Sequence, residues 1–237
     1  MLPYVIINGV SSREINGLVI QSLAPITKPK MRTSVEEIEG RDGDIVTPLG
    51  FAAYDKQITI GLKGAYSVDD VLEYFNQSGK ITFSNELEKY YNFAIYENID
   101  LNRLVRFRTA NITFHVQPFK YLVEELPLTW INPGSETIAT LRVRNEGNIY
   151  SRPSIKIKGS GDVFVYLDSV QIFKIGLGSN ETIIIDDFNA TDENGNFLNR
   201  RVTGDYENFK LRGAGFTDLR VTGNVTEFEL SKYSRWI

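Results

Sequence analysis

The sequence predicts a mainly β protein of two β-sandwich domains, the first of which carries one short helix. Apolar and polar residues alternate in many short segments, and this period of two is typical of half-buried strands. Glycine, asparagine and aspartate separate these segments at short spacing, as they do in sandwich folds. Only one segment has the apolar spacing of an amphipathic helix.

The strands of the first half are clearest in two segments. Lys56–Lys63 places its apolar side chains on one face, and Asn111–Gln117 repeats the same alternation. The segment Leu23–Lys30 contains two prolines, and proline is poorly tolerated in a central strand. We therefore expect Leu23–Lys30 to form an extended edge or a projecting arm.

The predicted helix begins after Ser67, which can cap it, and Asp70 follows three residues later as in a capping box. Four residues at positions i, i+3, i+4 and i+7 form its apolar stripe: Val68, Val71, Leu72 and Phe75. Gly79 is expected to end it. Because a helix of about ten residues is marginal alone, it should pack on the sheet of the first domain.

The second half contains strand signals only. They cover Ser154–Lys158, Val163–Leu167, Val170–Phe173, Thr182–Ile185, Asp218–Val221 and Val225–Leu230. Gly159 to Gly161 indicates a turn. The domain boundary is predicted at Asn132–Ser135, because proline removes a ladder donor and glycine permits an abrupt turn. This gives an N-terminal domain over residues 1–135 and a C-terminal domain over residues 136–231.

Composition excludes several classes of function. The 237 residues include 42% hydrophobic and 24% charged residues, so either half can bury a core. The net charge of -4 argues against a sequence-specific nucleic-acid partner and against an anionic membrane surface. The chain has no cysteine for disulfides or thiolate chemistry, and the sequence predicts no signal peptide and no membrane anchor.

The inventory of catalytic groups is poor. A Ser-His-Asp site would require His115, the one histidine, which alternates with Phe114 and Val116 on a predicted strand. The sequence has neither a Gly-x-Ser-x-Gly elbow nor a phosphate-binding Gly-Lys-Ser/Thr motif. We expect His115 at the sheet surface or at an interface, and predict that the protein is not an enzyme and has no catalytic residues and no cofactor.

The acidic segment Asp186–Gly195 is a candidate calcium loop. An EF-hand that started at Asp187 would need glycine at its sixth position and glutamate at its twelfth, where Asp192 and Leu198 stand. We favour a solvated hairpin turn and predict no metal site, while a calcium site of another kind stays an open alternative.

A second charged segment, Glu36–Glu39, is followed closely by Arg41. A glycosidase pair of carboxylates is one explanation. We favour ion pairs with a neighbouring subunit, because the planar guanidinium of Arg41 binds carboxylates in bidentate fashion. The predicted oligomer interface consists of these acidic and basic residues and of the proline-containing arm: Glu39, Arg41, Asp42, Asp44, Pro25, Lys28 and Lys30.

Aromatic residues at Tyr90–Phe93 and Trp130 are a candidate platform for stacking sugars. In an alternating strand Tyr91 and Phe93 share one face, and core packing is the commoner reason for such a pair. The core interpretation is favoured.

An ordered series of segments resembles the distal tail (Dit) proteins of long-tailed phages. Three motifs carry the resemblance: Arg41-Asp42-Gly43 within Gly40–Asp44, Pro118-Phe119 and Tyr121 at the end of a long strand, and Arg235-Trp236 within Tyr233–Ile237. Asn145–Asn148 and Pro153–Ile157 open the second half in the same order. Order, spacing and total length support the resemblance over essentially the whole chain.

The resemblance implies a structural hub of the tail tip. Six N-terminal domains would close into a ring around a channel for DNA, with galectin-like C-terminal β-sandwiches outside it. Residues 232–237, including Tyr233, Arg235 and Trp236, would return to the N-terminal domain. The implied partners are the tail tube protein, the tail-associated lysin and receptor-binding proteins. The implied location is the virion, after synthesis in the host cytoplasm.

The alternative function is a carbohydrate-binding module or an adhesin-like accessory protein. Longer members of the family carry inserted carbohydrate-binding modules, for which 237 residues leave no room. We therefore expect no recognition of host sugars by this chain.

Overall fold

The computed structural model describes residues 2–97, 99–132 and 138–237, apart from the side chains of residues 101, 102 and 138. The chain is mainly β, with two α-helices among these residues, which confirms the predicted fold class. It divides into a first compact unit, formed by residues up to Val123 together with Ile237, and a second unit, Glu124–Trp236. No helix of the described ranges is long and apolar enough to cross a membrane.

The first unit is an antiparallel sheet with two helices. Its strands are β1 (Val5–Ile7), β2 (Val10–Ser11), β3 (Leu18–Ser22), β4 (Met31–Glu37), β5 (Asp44–Phe51), β6 (Tyr54–Leu62), β7 (Gly79–Phe83), β8 (Lys89–Ala94) and β9 (Thr109–Leu122), and its helices are α1 (Val68–Phe75) and α2 (Leu101–Phe107). The sheet order is β2-β1-β7-β8-β9-β6-β3, whereas β4 and β5 pair with each other in a separate hairpin.

Helix α1 forms as its sequence predicts. The Ser67 hydroxyl accepts a hydrogen bond from the backbone N–H of Asp70 at 3.2 Å, which satisfies one unpaired donor of the first turn. The helix ends at Phe75 with Asn76 as its C-cap, before the predicted Gly79, which begins β7. Helix α2 was not predicted, although Asp100 caps it by accepting from the backbone N–H of Arg103 at 2.9 Å.

Aromatic rings form the centre of the first core. Phe114 on β9 is fully buried, and its ring centroid lies 5.3 Å from that of Phe93, 6.1 Å from Phe83 and 6.2 Å from Phe75. Edge-to-face and tilted contacts between aromatic rings contribute stability in addition to that gained by burying their apolar surface. The core therefore joins α1 to three neighbouring strands.

The buried hydroxyl of Tyr74 links α1 to the edge of the sheet. It donates to the carbonyl oxygens of Val5 and Val10, at 3.2 and 3.1 Å. Burial raises the pKa of Tyr74 well above its usual value. Because the unfolded chain loses this proton first, the free energy of unfolding should fall as the pH rises above about 10.

We expect Tyr74→Phe to lose about 1 kcal/mol of stability at neutral pH, since it removes a buried hydrogen bond. The variant should also lose less of its remaining stability between roughly pH 9 and pH 11 than the wild type. Urea unfolding at the two pH values measures both effects. An equal alkaline loss in both proteins would show that Tyr74 does not contribute to the pH dependence.

The strands of the second unit are between two and 17 residues long. They are β10 (Leu128–Ile131), β11 (Ile138–Arg144), β12 (Ser154–Leu167), β13 (Val170–Asp186), β14 (Asn189–Thr191), β15 (Val202–Gly204), β16 (Phe216–Ser231) and β17 (Arg235–Trp236), with a 3-10 helix at Asn199–Arg201. Their main order is β10-β16-β12-β13-β14, with β11 beside β16 and β15 beside β13.

The second sandwich is made by bending these strands, which corrects the predicted turn at Gly159 to Gly161. The chain stays in β12 there, and the register with β13 and β16 shifts at this point. Glycine is needed because a Cβ at Gly159 would lie 2.3 Å from the Asn224 carbonyl oxygen, and Gly161 has a φ of +75°. Side chains from both ends of β12, such as Ile157 and Val165, therefore meet in one core.

The compact units divide earlier than the predicted boundary at residues 135 and 136. Strand β10 already pairs with β16 of the second unit, with Leu128 opposite Leu230. The Pro133 and Gly134 signal used for the prediction lies outside the described residues, as does the rest of the segment 133–137.

Candidate functional site

The hairpin of β4 and β5 is the candidate functional site of the first unit. Val35 pairs with Val46, and Glu37 pairs with Asp44 next to the turn. Gly40 and Gly43 have φ angles of +82° and +78°. This left-handed conformation strains residues with a side chain, which explains the two glycines that flank the Arg41-Asp42 pair.

One face of this hairpin carries exposed apolar side chains. Val35 is directly opposite Val46, and alternation along the strands places Met31 and the opposed carboxylates Glu37 and Asp44 on the same face. Val35 is 53% exposed and Val46 is 57% exposed. A two-stranded hairpin is marginally stable alone in water, and this one is paired with no other strand of the described chain. The face is therefore suited to a protein partner that would cover it.

The carboxylates near the turn of the hairpin also lack ion-pair partners within the described residues. None of the acidic side chains near its turn forms an ion pair within the described residues: Glu36, Glu37, Glu39, Asp42 and Asp44. Glu37 and Asp44 stand directly opposite each other, and like charges in this position are destabilising. A cation supplied by a partner would relieve this repulsion.

The structure brings four of the predicted interface residues together at this hairpin. Glu39, Arg41 and Asp42 lie in its turn and Asp44 begins β5, and all four are exposed. Their role as an interface stays a prediction.

The proline-containing arm lies beside the base of the hairpin. Pro25, Lys28 and Lys30 are exposed, and the segment forms no strand. The Lys30 carbonyl accepts from the backbone N–H of Ala52 at 2.8 Å, which closes the base of the hairpin. The arm itself is anchored to the unit, because the Pro25 carbonyl accepts from the Lys56 ammonium at 2.7 Å.

Two buried lysines were missed by the sequence analysis. Lys56 is 3% exposed, and burial lowers the pKa of its ammonium below the usual range. Lys120 is 6% exposed and binds Glu86 at 2.9 Å. The signal was present, because the period of two places Lys56 on the face of Ile58.

His115 lies in a surface pair. Its Nδ1 is 2.8 Å from Asp55 Oδ1 on the neighbouring strand, and its ring centroid is 5.3 Å from that of Tyr96. No serine or threonine hydroxyl of the described residues hydrogen-bonds to the imidazole. The pair is therefore a cross-strand contact without an attached nucleophile.

The acidic segment of the second unit forms the predicted turn. Asp192 accepts hydrogen bonds from the side-chain amide of Asn196 and from the backbone N–H groups of Asn196 and Asn194, all at 2.8 Å. The side-chain bond from Asn196 is the main cause that lowers the pKa of Asp192. Glu193 binds Lys156 at 2.8 Å. Within the described ranges no three acidic, histidine or cysteine side chains form a group suited to a metal ion.

The candidate sugar platform is divided between core and surface. Tyr91 and Phe93 are buried in the first core. Tyr90 stacks on Tyr121, with ring centroids 5.6 Å apart. Trp130 stacks on Phe228 at 5.6 Å and packs against the second core. These rings do not form one exposed platform.

The terminal segment forms polar contacts with residues of the second unit. Arg235 Nε donates to the Tyr150 carbonyl at 2.6 Å, and its guanidinium lies 4.4 Å from the centre of the Tyr150 ring. The Ser234 N–H donates to Glu125 at 2.9 Å, and Tyr233 adopts a φ of +48°. The return of Tyr233, Arg235 and Trp236 to the N-terminal domain stays a prediction.

Gly147 permits the close approach of this segment. A Cβ at Gly147 would lie 2.1 Å from the Arg235 carbonyl oxygen, so Gly147→Ala forces backbone to move. We expect a loss of about 1–3 kcal/mol in the free energy of unfolding, measured in urea. Gly215→Ala is the matched control, because its Cβ would meet nothing closer than 3.6 Å. Equal losses in the two variants would contradict the assigned contact.

Comparisons with known proteins show which solved structures have a fold similar to that of this chain. No family model and no curated protein matches the chain. The crystal structure of the Dit protein (gp 19.1) of phage SPP1 is similar over 98% of this chain and 99% of that chain, with a TM-score of 0.67 and 17% identity. That protein is described as a paradigm of the hub adsorption apparatus in phages that infect Gram-positive bacteria.

Two further structures show weaker similarity. One is the baseplate of phage p2 in its activated conformation with Sr, with a TM-score of 0.47, 12% identity and coverage of 97% of this chain and 96% of that chain. The other is the activated phage P2 baseplate with Ca, with a TM-score of 0.43, 11% identity and 98% coverage of both chains. The resemblance to Dit proteins is thus confirmed as a shared fold by the first comparison.

Proposed function

We propose that this chain is a structural hub of a phage tail tip that assembles into a homohexameric ring. The ring would connect the tail tube protein to the tail-associated lysin and to receptor-binding proteins, and its central channel would let DNA pass. The Dit fold over 98% of the chain supports this role. The proposed location is the virion, after synthesis in the host cytoplasm.

The observation that carries the proposal is the uncovered hairpin of β4 and β5. One of its faces carries the exposed side chains of Val35 and Val46, and its carboxylates lack cations within the described residues. Both features cost free energy in an isolated chain and are relieved when a protein surface covers them. A role in assembly accounts for this hairpin, and a catalytic role does not.

A closed ring suits a hairpin that extends from one copy to the next. A head-to-tail contact uses two different surfaces, and it forms either a ring or an open filament. Ring closure satisfies every such contact and stops growth. A hub that must enclose a channel requires the closed form.

Solution mass tests this proposal. Size-exclusion chromatography with light scattering, at two protein concentrations and two salt levels, should show about 161 kDa for six copies of the 26.9-kDa chain. A species of 26.9 kDa under all conditions would contradict a self-assembling ring.

The carbohydrate-binding alternative predicts a different result. We expect the isolated protein to show no binding at micromolar affinity or better on a glycan array, because Tyr91, Phe93 and Trp130 pack against the cores. A known galectin serves as the positive control on the same array. Reproducible binding of one glycan class would favour the alternative.

A further inference from the structure

Helix α2 exposes an unusual combination of basic and apolar side chains. Leu104 is fully buried and fixes the helix to the first unit, while Phe107 is 70% exposed and Val105 is also largely exposed. Arg103 and Arg106 are exposed on the same short helix. Exposed phenylalanine beside arginine is typical of protein interfaces.

The charges of α2 complement those of the hairpin. Arg103 and Arg106 form no ion pair within the described part of the chain. The segment 101–108 contains three arginines and no acidic residue, whereas the segment 36–44 contains five acidic residues and one arginine. The two surfaces therefore have net charges of opposite sign, and each also carries exposed apolar side chains.

The topology places these two surfaces at opposite ends of one pair of strands. The hairpin enters β6 at Tyr54, which pairs with Val116 of β9. Helix α2 enters β9 at Thr109, which pairs with Gly61 at the other end of β6. Strand β6 has nine residues, so the two ends are roughly 27 Å apart at about 3.4 Å per residue. Complementary surfaces at opposite ends of a molecule favour head-to-tail contact between copies.

We propose that the basic, apolar surface of α2 receives the β4–β5 hairpin of a second copy of this chain. Arg103 and Arg106 of one copy would neutralise the opposed carboxylates Glu37 and Asp44 of the other. Phe107 and Val105 would cover the exposed valines of the hairpin. This inference rests on the proposed ring and names the surface that completes each of its contacts.

Charge reversal on each side tests the pairing. One variant carries Arg103→Glu with Arg106→Glu, and the other carries Glu37→Lys with Asp44→Lys. In each variant alone the side chains at positions 103 and 106 have the same sign of charge as those at positions 37 and 44, so the concentration needed for half-assembly should rise more than about a hundredfold. In the second variant positions 37 and 44 still carry like charges opposite each other, as they do in the wild type. The repulsion between the two strands of the hairpin is therefore similar in both proteins.

Mixing the two variants is the decisive step. Every contact becomes complementary when the variants alternate around the ring, and a ring with an even number of copies accommodates this alternation. We expect an equimolar mixture to recover the mass of the wild-type assembly. Arg200→Glu and Glu207→Lys, at exposed positions of the second unit, are the matched controls and should leave assembly unchanged.

The outcomes separate this inference from the proposed function. If the wild type forms a ring and both variants also form it, the pairing with α2 is wrong and the hub proposal stands. If each variant fails and the mixture does not recover, the two surfaces do not contact each other. Recovery only in the mixture supports the pairing.

A cross-linking experiment covers the case of a monomeric wild type. The natural chain has no cysteine, so Val46→Cys in one preparation and Val105→Cys in another can form a disulfide only with each other or with themselves. The proposal predicts a mixed dimer under oxidation at high protein concentration, and less of it when Val170→Cys replaces Val46→Cys. Equal yields in the two mixtures would overturn the docking surface independently of ring closure.

Discussion

Val35→Glu combined with Val46→Glu is expected to leave the protein folded and monomeric. Both side chains are exposed in the isolated chain, so each substitution alone should change the free energy of unfolding by no more than about 0.5 kcal/mol, and repulsion between the two opposed carboxylates should cost at most about 1 kcal/mol more. In an assembled ring the two new carboxylates would be buried against an apolar surface, which costs several kcal/mol without a partner cation. The large effect therefore falls on assembly and not on folding.

Light scattering and circular dichroism together check this expectation. The variant should show the spectrum of the wild type and a mass of 26.9 kDa. Val170→Glu is the control, because Val170 is an exposed valine at the start of β13, in the second unit. If the double variant at Val35 and Val46 still assembles, this face of the hairpin is not part of the interface. Loss of assembly in both variants would show a non-specific effect of added charge.

Phe114→Ala is expected to produce the largest loss of stability in the first unit. Phe114 contacts the rings of Phe75, Phe83 and Phe93, and these neighbours belong to different elements that cannot close the cavity together. Truncation of such a side chain costs about 3–5 kcal/mol. Because β6 and β9 carry both the hairpin and α2, the variant should also assemble poorly.

Hydrogen exchange read by mass spectrometry locates this effect. Amides of β6 and β9 should exchange faster in Phe114→Ala, while those of β12 and β13 should keep their protection, since the second unit has its own core. Phe173→Ala, at a fully buried phenylalanine of the second core, should give the reverse pattern. Uniformly faster exchange in both variants would contradict two separate cores.

Sequence patterns correctly predicted those strands and helices in which the spacing of apolar residues stays regular from end to end. The alternation at Lys56–Lys63 gave β6, and the stripe with Ser67 as its cap gave α1. Helix α2 was not predicted because its seven residues contain only one turn of helical apolar spacing, at Leu101, Leu104 and Val105. It is fixed instead by Asp100 as a cap and by the burial of Leu104, which depend on the neighbouring strand.

Long strands were harder to predict than short ones. Gly159 to Gly161 was interpreted as a turn, because glycine permits both turns and bulges and the sequence alone does not separate them. In the structure the ladder of β12 continues through these residues, since β13 and β16 pair with it on both sides. Tertiary pairing therefore decided what local sequence left open.

The charged residues of the candidate site were predicted from the sequence, and its exposed apolar residues were found only in the structure. Charge clustering pointed to Glu39, Arg41, Asp42 and Asp44, and all four lie on or beside one hairpin turn. The exposed valines of the hairpin were not predicted. An alternating segment with charged neighbours fits a strand with one buried face, and it fits equally well a hairpin that no other element covers. Only the structure shows that no other strand of the described chain pairs with this hairpin and that both valines are more than half exposed.

Electron microscopy of the purified wild type tests the central claim most directly. If the chain is a ring-forming hub, class averages of negatively stained particles should show six equal lobes around a central hole. The particles should have the mass of six copies. Filaments, compact dimers or separate monomers at the same concentration would contradict the closed ring, and with it the proposed function.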